Sequence, residues 1–207
     1  SPLTWGIHVA ANSFYQSVEE LEGKTFAISR MGSGSHLMAM VMAKHRGWAT
    51  EQLQLKVVGG MDGARQALPV GEADAFMWEK FMTQPIVERG EFRRVGEFDT
   101  PWPCFVIIVR NKVLIDHLDK AQELFQVVQQ SAANFMCQQD ASDLINQRYG
   151  LTLEDANHWF TRTQWQTDFE VPEAMLNQVM DALLSCQIID QPVEPNQLSS
   201  SIAVLKQ

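Results

Sequence analysis

The sequence predicts an α/β fold followed by a mainly helical C-terminal part. Up to about residue 110, short β-prone runs alternate with helical segments, as in a parallel or mixed sheet flanked by helices. From Lys112 onward, apolar residues recur every three or four positions, which indicates one apolar face on each of several helices. Glycines stand where the elements of the first part should end, as C-terminal caps do: Gly23, Gly47, Gly71 and Gly90.

The individual elements follow from these patterns. The predicted strands are residues 4–10, 25–28, 53–58, 73–77, 93–97 and 104–109. Helices are predicted for residues 35–46, 62–68 and 80–89, then for 113–138, 141–149, 153–160 and 172–186, with Pro172 in the first turn of the last one. The tail, residues 191–207, is predicted to be irregular because it carries two prolines and three consecutive serines.

Composition restricts the class of protein. The 207 residues have a net charge of −9, which argues against nonspecific binding to nucleic acid or to an anionic membrane. Three cysteines stand far apart without the spacing of metal ligands, so neither a disulfide framework nor a metal site is expected. The sequence begins at Ser1 without an initiator Met or a signal peptide, and the first segment is interpreted as a strand of a processed protein or fragment.

Residues 25–48, TFAISRMGSGSHLMAMVMAKHRGW, predict a strand that turns through glycines into a helix. A helix N-terminus presents unpaired backbone N–H groups at the positive end of the helix dipole, which binds anions or acceptor groups. Ser33 and Ser35 add hydroxyls, and Ser35 is the expected N-cap. The alternative is a β–α turn capped by serine, without a ligand. The glycine spacing excludes the common nucleotide-binding loops.

Other candidate ligand contacts surround this loop. Trp5 begins the first strand, and Trp78 follows the predicted strand 73–77 at its carboxyl end, where ligands of open α/β sheets bind. Each Trp could form a flat apolar wall or pack in the core. Glu79 is either a ligand contact or the solvated start of a helix, and Arg30 pairs either with an anionic ligand or with Glu79. His36, in the first turn after the loop, could donate to a ligand oxygen.

Four segments resemble the type II periplasmic-binding-protein fold. They are SPLTWGIHVAANS at the start, the loop ISRMGSGSH, the segment VGGMDGARQALPVGEADAFMWEKF, and TPWPCFVI. The nearest branch contains the alkanesulfonate-, taurine- and nitrate-binding proteins and the thiamine-pyrimidine binding proteins. The resemblance is good up to about residue 110 and weaker beyond. It implies a three-layer α/β sandwich, followed by the mainly helical part.

The resemblance also implies a domain organisation. Such proteins are two-lobed clamps that hold a ligand between the lobes, and this chain is expected to start at the first crossing between them. Residues 1–103 would then be the second lobe and residues 104–207 the returning part of the first, whose N-terminal half is missing. Apolar residues of the later helices would in that case lie exposed or be covered by a second copy of the chain: Leu118, Phe125, Val128 and Phe135.

The function implied is that of a solute-binding protein of an ABC-type importer, holding a small anionic or heterocyclic organic solute. It implies no catalytic residue, no cofactor and no metal. The partners would be a small-molecule ligand and, if an export signal precedes the chain, a membrane permease. Nucleic acid is not an expected partner. The incomplete lobe could also bind a second copy of the chain. Localisation would be periplasmic or in the cell envelope with such a signal, and otherwise cytoplasmic. The alternatives are an enzyme like those of thiamine-pyrimidine biosynthesis, which use a lysine and a cysteine-rich cluster not found here, and the ligand-sensing domain of a regulator.

The expected ligand-binding residues are Trp5, Arg30, Gly32, Ser33, Gly34, Ser35, His36, Trp78 and Glu79.

Overall fold

A computed structural model describes residues 1–206, which form two compact units. The first, here called the α/β unit, consists of Pro2–Pro101 and Ala182–Asp190. The second, the helical unit, consists of Ser1, Trp102–Asp181 and the tail from Gln191. The assignment of residues 1–103 and 104–207 to two lobes stays a prediction.

The α/β unit is built on one mixed sheet of five strands in the order β3-β2-β4-β1-β5. The strands are β1 (Pro2–Ala10), β2 (Thr25–Ile28), β3 (Gln54–Val57), β4 (Ala75–Glu79) and β5 (Phe92–Pro103). Between them lie the helices α1 (Gly34–His45), α2 (Met61–Ala67) and α3 (Lys80–Glu88). The predicted α/β class is therefore confirmed, and Gly23, Gly47, Gly71 and Gly90 all adopt the positive φ expected of glycine caps.

The direction of β1 decides what lies at the functional edge of the sheet. β2 runs parallel to β3 and β4, so their carboxyl ends share one edge. β1 pairs with β4 in the antiparallel sense, with Trp5 opposite Glu79 and His8 opposite Phe76. The first residues of β1 therefore lie at the same edge as the carboxyl end of β4.

The core of the α/β unit includes a buried histidine. His8 is fully buried on β1, and its Nδ1 lies 3.3 Å from the carbonyl oxygen of Phe76. A carbonyl only accepts, so Nδ1 carries the proton and the unprotonated Nε2 accepts from Arg94 Nε at 3.5 Å. Gly6 makes room for this ring, because a Cβ at that position would lie 2.4 Å from His8 Cε1.

The helical unit consists mainly of consecutive helices. They are α4 (Asn111–Asp116), α5 (Leu118–Met136), α6 (Ala141–Tyr149), α7 (Leu153–Arg162), α8 (Glu173–Ser185), whose last turn belongs to the α/β unit, and α9 (Pro195–Leu198). Two short strands, β6 (Glu170–Pro172) and β7 (Val204–Lys206), pair in parallel. An aromatic cluster includes Phe135, whose ring centroid lies 5.7 Å from that of Phe160 and 5.8 Å from that of Trp165.

Four predictions for this part are corrected. Residues 104–109 are not a strand, since β5 ends at Pro103 and no regular element begins before Asn111. The helix predicted over 113–138 is interrupted at His117, which has non-helical backbone angles. Pro172 ends β6 and does not lie in the first turn of α8, and the tail contains α9 and β7. Sequence periodicity does not determine tertiary pairing, on which strands depend: β7 forms by pairing with β6.

Apolar burial is sparse in the helical unit. In α5, of 19 residues, only Ala121 is buried. Of the four residues predicted to be exposed, Leu118 and Val128 are exposed, and Phe125 and Phe135 are half-buried. The segment of residues 104–109 adds Phe105 and Ile108, which are 85% and 86% exposed. None of the helices formed by residues 1–206 has the length and hydropathy that spanning a membrane requires.

His8 should make stability depend on pH. Burial lowers its pKa from 6.5 to about 3, and the Arg94 charge acts in the same direction. Between these two pKa values the unfolded chain binds a proton that the folded chain does not, so stability falls as pH falls. From pH 7 to pH 5 we expect His8 to remove about 2 kcal/mol from the free energy of unfolding. Urea unfolding at pH 7 and pH 5 measures this difference in unfolding free energy. The variant His8→Gln should reduce the difference. The control His117→Gln, at an exposed position, should leave it unchanged. An equal difference in the His8 variant would contradict the assignment.

The exposed apolar segment should cause self-association. Contiguous exposed apolar surface is uncommon on stable monomers, and an unpaired β-prone segment is a template for another chain. Sedimentation analysis should show a mass that rises with protein concentration, and Ile108→Lys should weaken this association. Val70→Lys is the matched control, because Val70 is also an exposed aliphatic residue (71%) but belongs to the α/β unit. A monomer at every concentration would contradict the prediction.

Candidate functional site: the loop before helix α1

The candidate site lies at the carboxyl edge of the sheet, within the α/β unit. Residues 29–33 connect β2 to α1, and β4 ends beside β2 at Glu79. The antiparallel register brings Trp5 of β1 opposite Glu79. The sheet topology thus brings together the loop with the start of α1, the start of β1 and the end of β4. The last two are more than 70 residues apart in the sequence.

Serine side chains hold the loop in shape. Ser33, and not Ser35, is the N-cap of α1, and its hydroxyl accepts from the His36 amide at 3.3 Å. The Ser35 hydroxyl is buried and accepts from the Ser29 amide at 2.9 Å. It also lies 3.1 Å from the Ser33 hydroxyl. These two hydroxyls therefore stabilise the loop itself, as in the alternative of a serine-capped turn. Their ligand-binding role stays a prediction.

His36 also has a structural contact. Its buried ring accepts from the Gly32 amide through Nδ1 at 3.0 Å, which places the ring proton on Nε2. Burial lowers the pKa of His36 below its ordinary value, in agreement with a neutral ring. The Nε2–H group makes no hydrogen bond with any residue of the described chain, so it remains a neutral donor.

Two backbone amides at the start of α1 are available. Three of the five amides in residues 32–36 are paired within the loop: Gly32 with His36 Nδ1, Ser33 with the Arg30 carbonyl, and His36 with the Ser33 hydroxyl. The amides of Gly34 and Ser35 donate to no protein acceptor within residues 1–206. They occupy the first turn of a twelve-residue helix, where the dipole is positive. The arrangement can therefore bind an acceptor oxygen.

Trp5 closes one side of this turn. It is only 9% exposed, and its Cη2 and Cζ2 atoms lie 3.3 and 3.5 Å from the position that a Cβ of Gly34 would occupy. Its ring meets Trp78 edge to face, at 6.4 Å between centroids. The indole Nε1 is buried without a hydrogen-bond partner in the described chain. Trp5 thus combines an apolar ring at the turn with a buried N–H that lacks a partner.

The sequence predicted Trp78 to follow the strand, but the residue lies inside β4. It is half-buried and stacks on Phe76 with an interplanar angle of 19° and 5.3 Å between centroids. This contact fixes the ring against the core residues around Phe76, which include Ile86 and Phe92. Core packing therefore accounts for one face of Trp78.

Glu79 caps α3. Its carboxylate accepts from the Met82 amide at 2.6 Å. Burial raises the pKa of Glu79 above its ordinary value, although the Met82 and Phe81 amides and the cations Arg94 and Lys80 act in the opposite direction. Sequence reasoning missed Arg94, whose guanidinium bonds to the Lys80 carbonyl and to Gln84, because no local pattern marks a long-range contact of this kind.

Arg30 does not pair with Glu79. Its guanidinium is exposed and donates to the neighbouring Met31 carbonyl at 3.4 Å. The predicted alternative of an ion pair between Arg30 and Glu79 is therefore wrong, because the cations near Glu79 are Arg94 and Lys80. The other alternative, pairing of Arg30 with an anionic ligand, stays a prediction, as do the ligand-binding roles of the remaining residues of the site.

Metal-binding and thiol groups are scattered. Within residues 1–206, no three side chains of His, Cys, Asp or Glu are grouped so as to hold a metal ion. No disulfide joins Cys104, Cys137 and Cys186 in the described chain.

Comparison with known proteins supports the fold. The family model described as Ca3427-like PBP matches residues 5–98. The structure of the Candida albicans CA3427 gene product, described as having the generic periplasmic-binding-protein fold, is 22% identical with a TM-score of 0.80. The match includes 93% of this chain and 65% of the CA3427 chain. A comparison with curated protein sequences gives no significant match.

Two sulfonate-binding proteins have similar structures. The periplasmic aliphatic sulphonate binding protein SsuA from Escherichia coli is 15% identical, with a TM-score of 0.65 over 100% of this chain and 70% of that one. The alkanesulfonate-binding protein SsuA from Xanthomonas axonopodis pv. citri, bound to MOPS, is 14% identical, with a TM-score of 0.70 over 99% and 73%. At such identities the likeness concerns the fold. The chain has the periplasmic-binding-protein fold and spans about two thirds of the length of these proteins.

Loss of the Ser35 hydroxyl should destabilise the loop. Ser35→Ala leaves the Ser29 amide without its acceptor, and an unpaired buried donor costs about 1–3 kcal/mol of unfolding free energy. Chemical denaturation measures the loss. Ser131→Ala, at an exposed position of α5, is the control and should change stability by less than about 0.5 kcal/mol. Equal stability of the two variants would show that the Ser35 hydrogen bond does not stabilise the loop.

Proposed function

We propose that this protein is a solute-binding protein that holds a small anionic or heterocyclic organic solute at the carboxyl edge of its sheet. The observation that carries the proposal is the pair of unpaired amides of Gly34 and Ser35 at the start of α1. Helix N-termini at the carboxyl edges of α/β sheets bind acceptor groups. The sulfonate-binding proteins of similar fold support a ligand with an acidic end.

The surroundings of the amides suit the rest of such a solute. Trp5 lines the turn but is 9% exposed, whereas Trp78, which meets it edge to face, is half-buried, and Met31 is 60% exposed in the loop itself. Apolar and aromatic walls with a few fixed polar groups are typical of small-molecule sites. The geometry therefore suits an acceptor group attached to a flat or apolar remainder.

Delivery of the solute to the permease of an ABC-type importer is part of the proposal, for a chain preceded by an export signal. The protein would then act in the periplasm or cell envelope, and otherwise in the cytoplasm. Binding without catalysis is favoured because the hydroxyls and the imidazole of the loop are hydrogen-bonded to the loop itself. A nucleophilic serine would need a base that accepts its proton, and the His36 Nδ1 already accepts from Gly32.

Thermal-shift screening tests the proposal. At about 100 times its dissociation constant, a true ligand should stabilise the folded chain by about 2.7 kcal/mol. We expect stabilisation by a sulfonate, a carboxylate or a heterocycle. Stabilisation by nucleotides or sugars alone would contradict the proposal.

Variants of Gly34 then locate the ligand. Gly34→Pro removes one donor at the first helical position, which tolerates proline, and the extended backbone of Ser33 suits a residue before proline. Gly34→Ala adds a Cβ but keeps the N–H, so it is the matched control. Binding should be weaker in the proline variant than in the alanine variant. Equal affinities would place the ligand away from this amide.

A further inference from the structure

The indole N–H of Trp5 is one of two buried side-chain N–H groups without a hydrogen-bond partner in the described chain, and the other is Arg46 Nε. A buried N–H without an acceptor is unfavourable by about 1–3 kcal/mol, and buried Trp N–H groups usually have a partner. Trp5 is 9% exposed, and its Nε1 has no partner in the described chain. Ser33, Ser35 and His36, which are buried in the adjacent loop, all have hydrogen bonds.

The position of the ring relates this N–H to the start of α1. Cη2 and Cζ2 of Trp5 lie 3.3 and 3.5 Å from the position of a Gly34 Cβ. In an indole, Cζ2 is bonded to the carbon that carries Nε1, so the six-membered ring contacts Gly34 and the N–H lies on the neighbouring part of the same ring system. Gly34 and Ser35 supply the two amides that also lack protein acceptors. The two unpaired amides of α1 therefore lie beside the ring of β1 that carries an unpaired N–H.

We propose that Trp5 is a ligand-binding residue that acts through its indole N–H, and that Trp5, Gly34 and Ser35 together bind one monoanionic oxyacid group, a sulfonate or a carboxylate. The inference rests on the proposed function. To that function it adds the Trp5 N–H of β1 as a third donor and a single negative charge for the ligand.

The charge follows from the neutrality of the donors. The indole and the two amides carry no formal charge, and the helix dipole contributes only about half a positive charge. Of the nearby basic side chains, Lys80 lies 2.8 Å from Glu97, and Arg94 bonds to the Lys80 carbonyl. Arg30 is the basic residue of the loop itself, and its exposed guanidinium bonds to the Met31 carbonyl, so the loop supplies one positive charge. A dianion would exceed this one charge, whereas a monoanion is balanced by it and by the neutral donors.

Titration of the whole 207-residue chain with methanesulfonate, acetate and sulfate tests the inference. In protein labelled with ¹⁵N at the indole nitrogens, the Trp5 N–H resonance should shift as methanesulfonate or acetate binds, and sulfate should shift it much less. The Trp5 N–H resonance is identified as the one that is missing from the spectrum of the Trp5→Phe variant. This variant should also weaken methanesulfonate binding by about 10- to 100-fold, the effect of removing one hydrogen bond to a charged group.

Trp48→Phe is the matched control, because Trp48 packs against the same core cluster as Trp5 but follows the C-terminal end of α1. It should leave the affinity for methanesulfonate unchanged. Binding of methanesulfonate with an unmoved Trp5 resonance and equal affinity in Trp5→Phe would overturn the role of Trp5 while leaving the proposed function intact. Equal binding of sulfate and methanesulfonate would overturn the monoanion selectivity. Failure of methanesulfonate and acetate to bind, with a heterocycle stabilising the chain in the thermal-shift screen, would overturn this inference alone. Failure of sulfonates, carboxylates and heterocycles alike would overturn the proposed function as well.

Discussion

The antiparallel pairing of β1 with β4 is the constraint on which the candidate site depends. In a sheet of parallel strands only the loops after the strands reach the carboxyl edge. Because β1 runs in the opposite direction, its first residues reach that edge too, with Trp5 opposite Glu79. The site is therefore built from the start of one strand, the end of another and the first turn of a helix. A parallel β1 would place Trp5 at the far edge of the sheet, away from α1.

The polar groups of the site divide into two kinds with different tasks. The hydroxyls of Ser33 and Ser35 and the Nδ1 of His36 satisfy amides of the loop, so they fix its backbone. Buried polar groups that are fully paired rigidify a structure, and this pairing holds the start of α1 in place. The groups left over are donors only. A rigid loop that keeps two amides unpaired is preorganised for an acceptor, which reduces the entropy lost on binding.

The two units differ in how they bury apolar surface. In the α/β unit, Phe26, Phe76 and Phe92 are fully buried around the sheet. The α5 helix of the helical unit buries only Ala121, although its apolar positions follow a helical period. An apolar face without a covering layer indicates that the surface of this unit is available to further polypeptide. The fold of the α/β unit is thus explained by its own core, whereas that of the helical unit is explained only in part.

The sequence by itself determined the elements of the α/β unit and the chemistry of the loop, because these depend on local patterns. The strand Thr25–Ile28 and the helix after the Gly/Ser loop follow from β-prone and helical runs separated by glycines. Only the tertiary structure decided which groups of the loop are free. Ser35 and His36 have the same donors and acceptors in any sequence, but their pairing with Ser29 and Gly32 depends on the exact turn of the backbone. The same holds for Trp5, whose unpaired N–H exists because a strand distant in sequence crosses beside α1. Local preference likewise predicted a strand at residues 104–109, where the described chain provides no neighbouring strand, and a strand forms only by pairing.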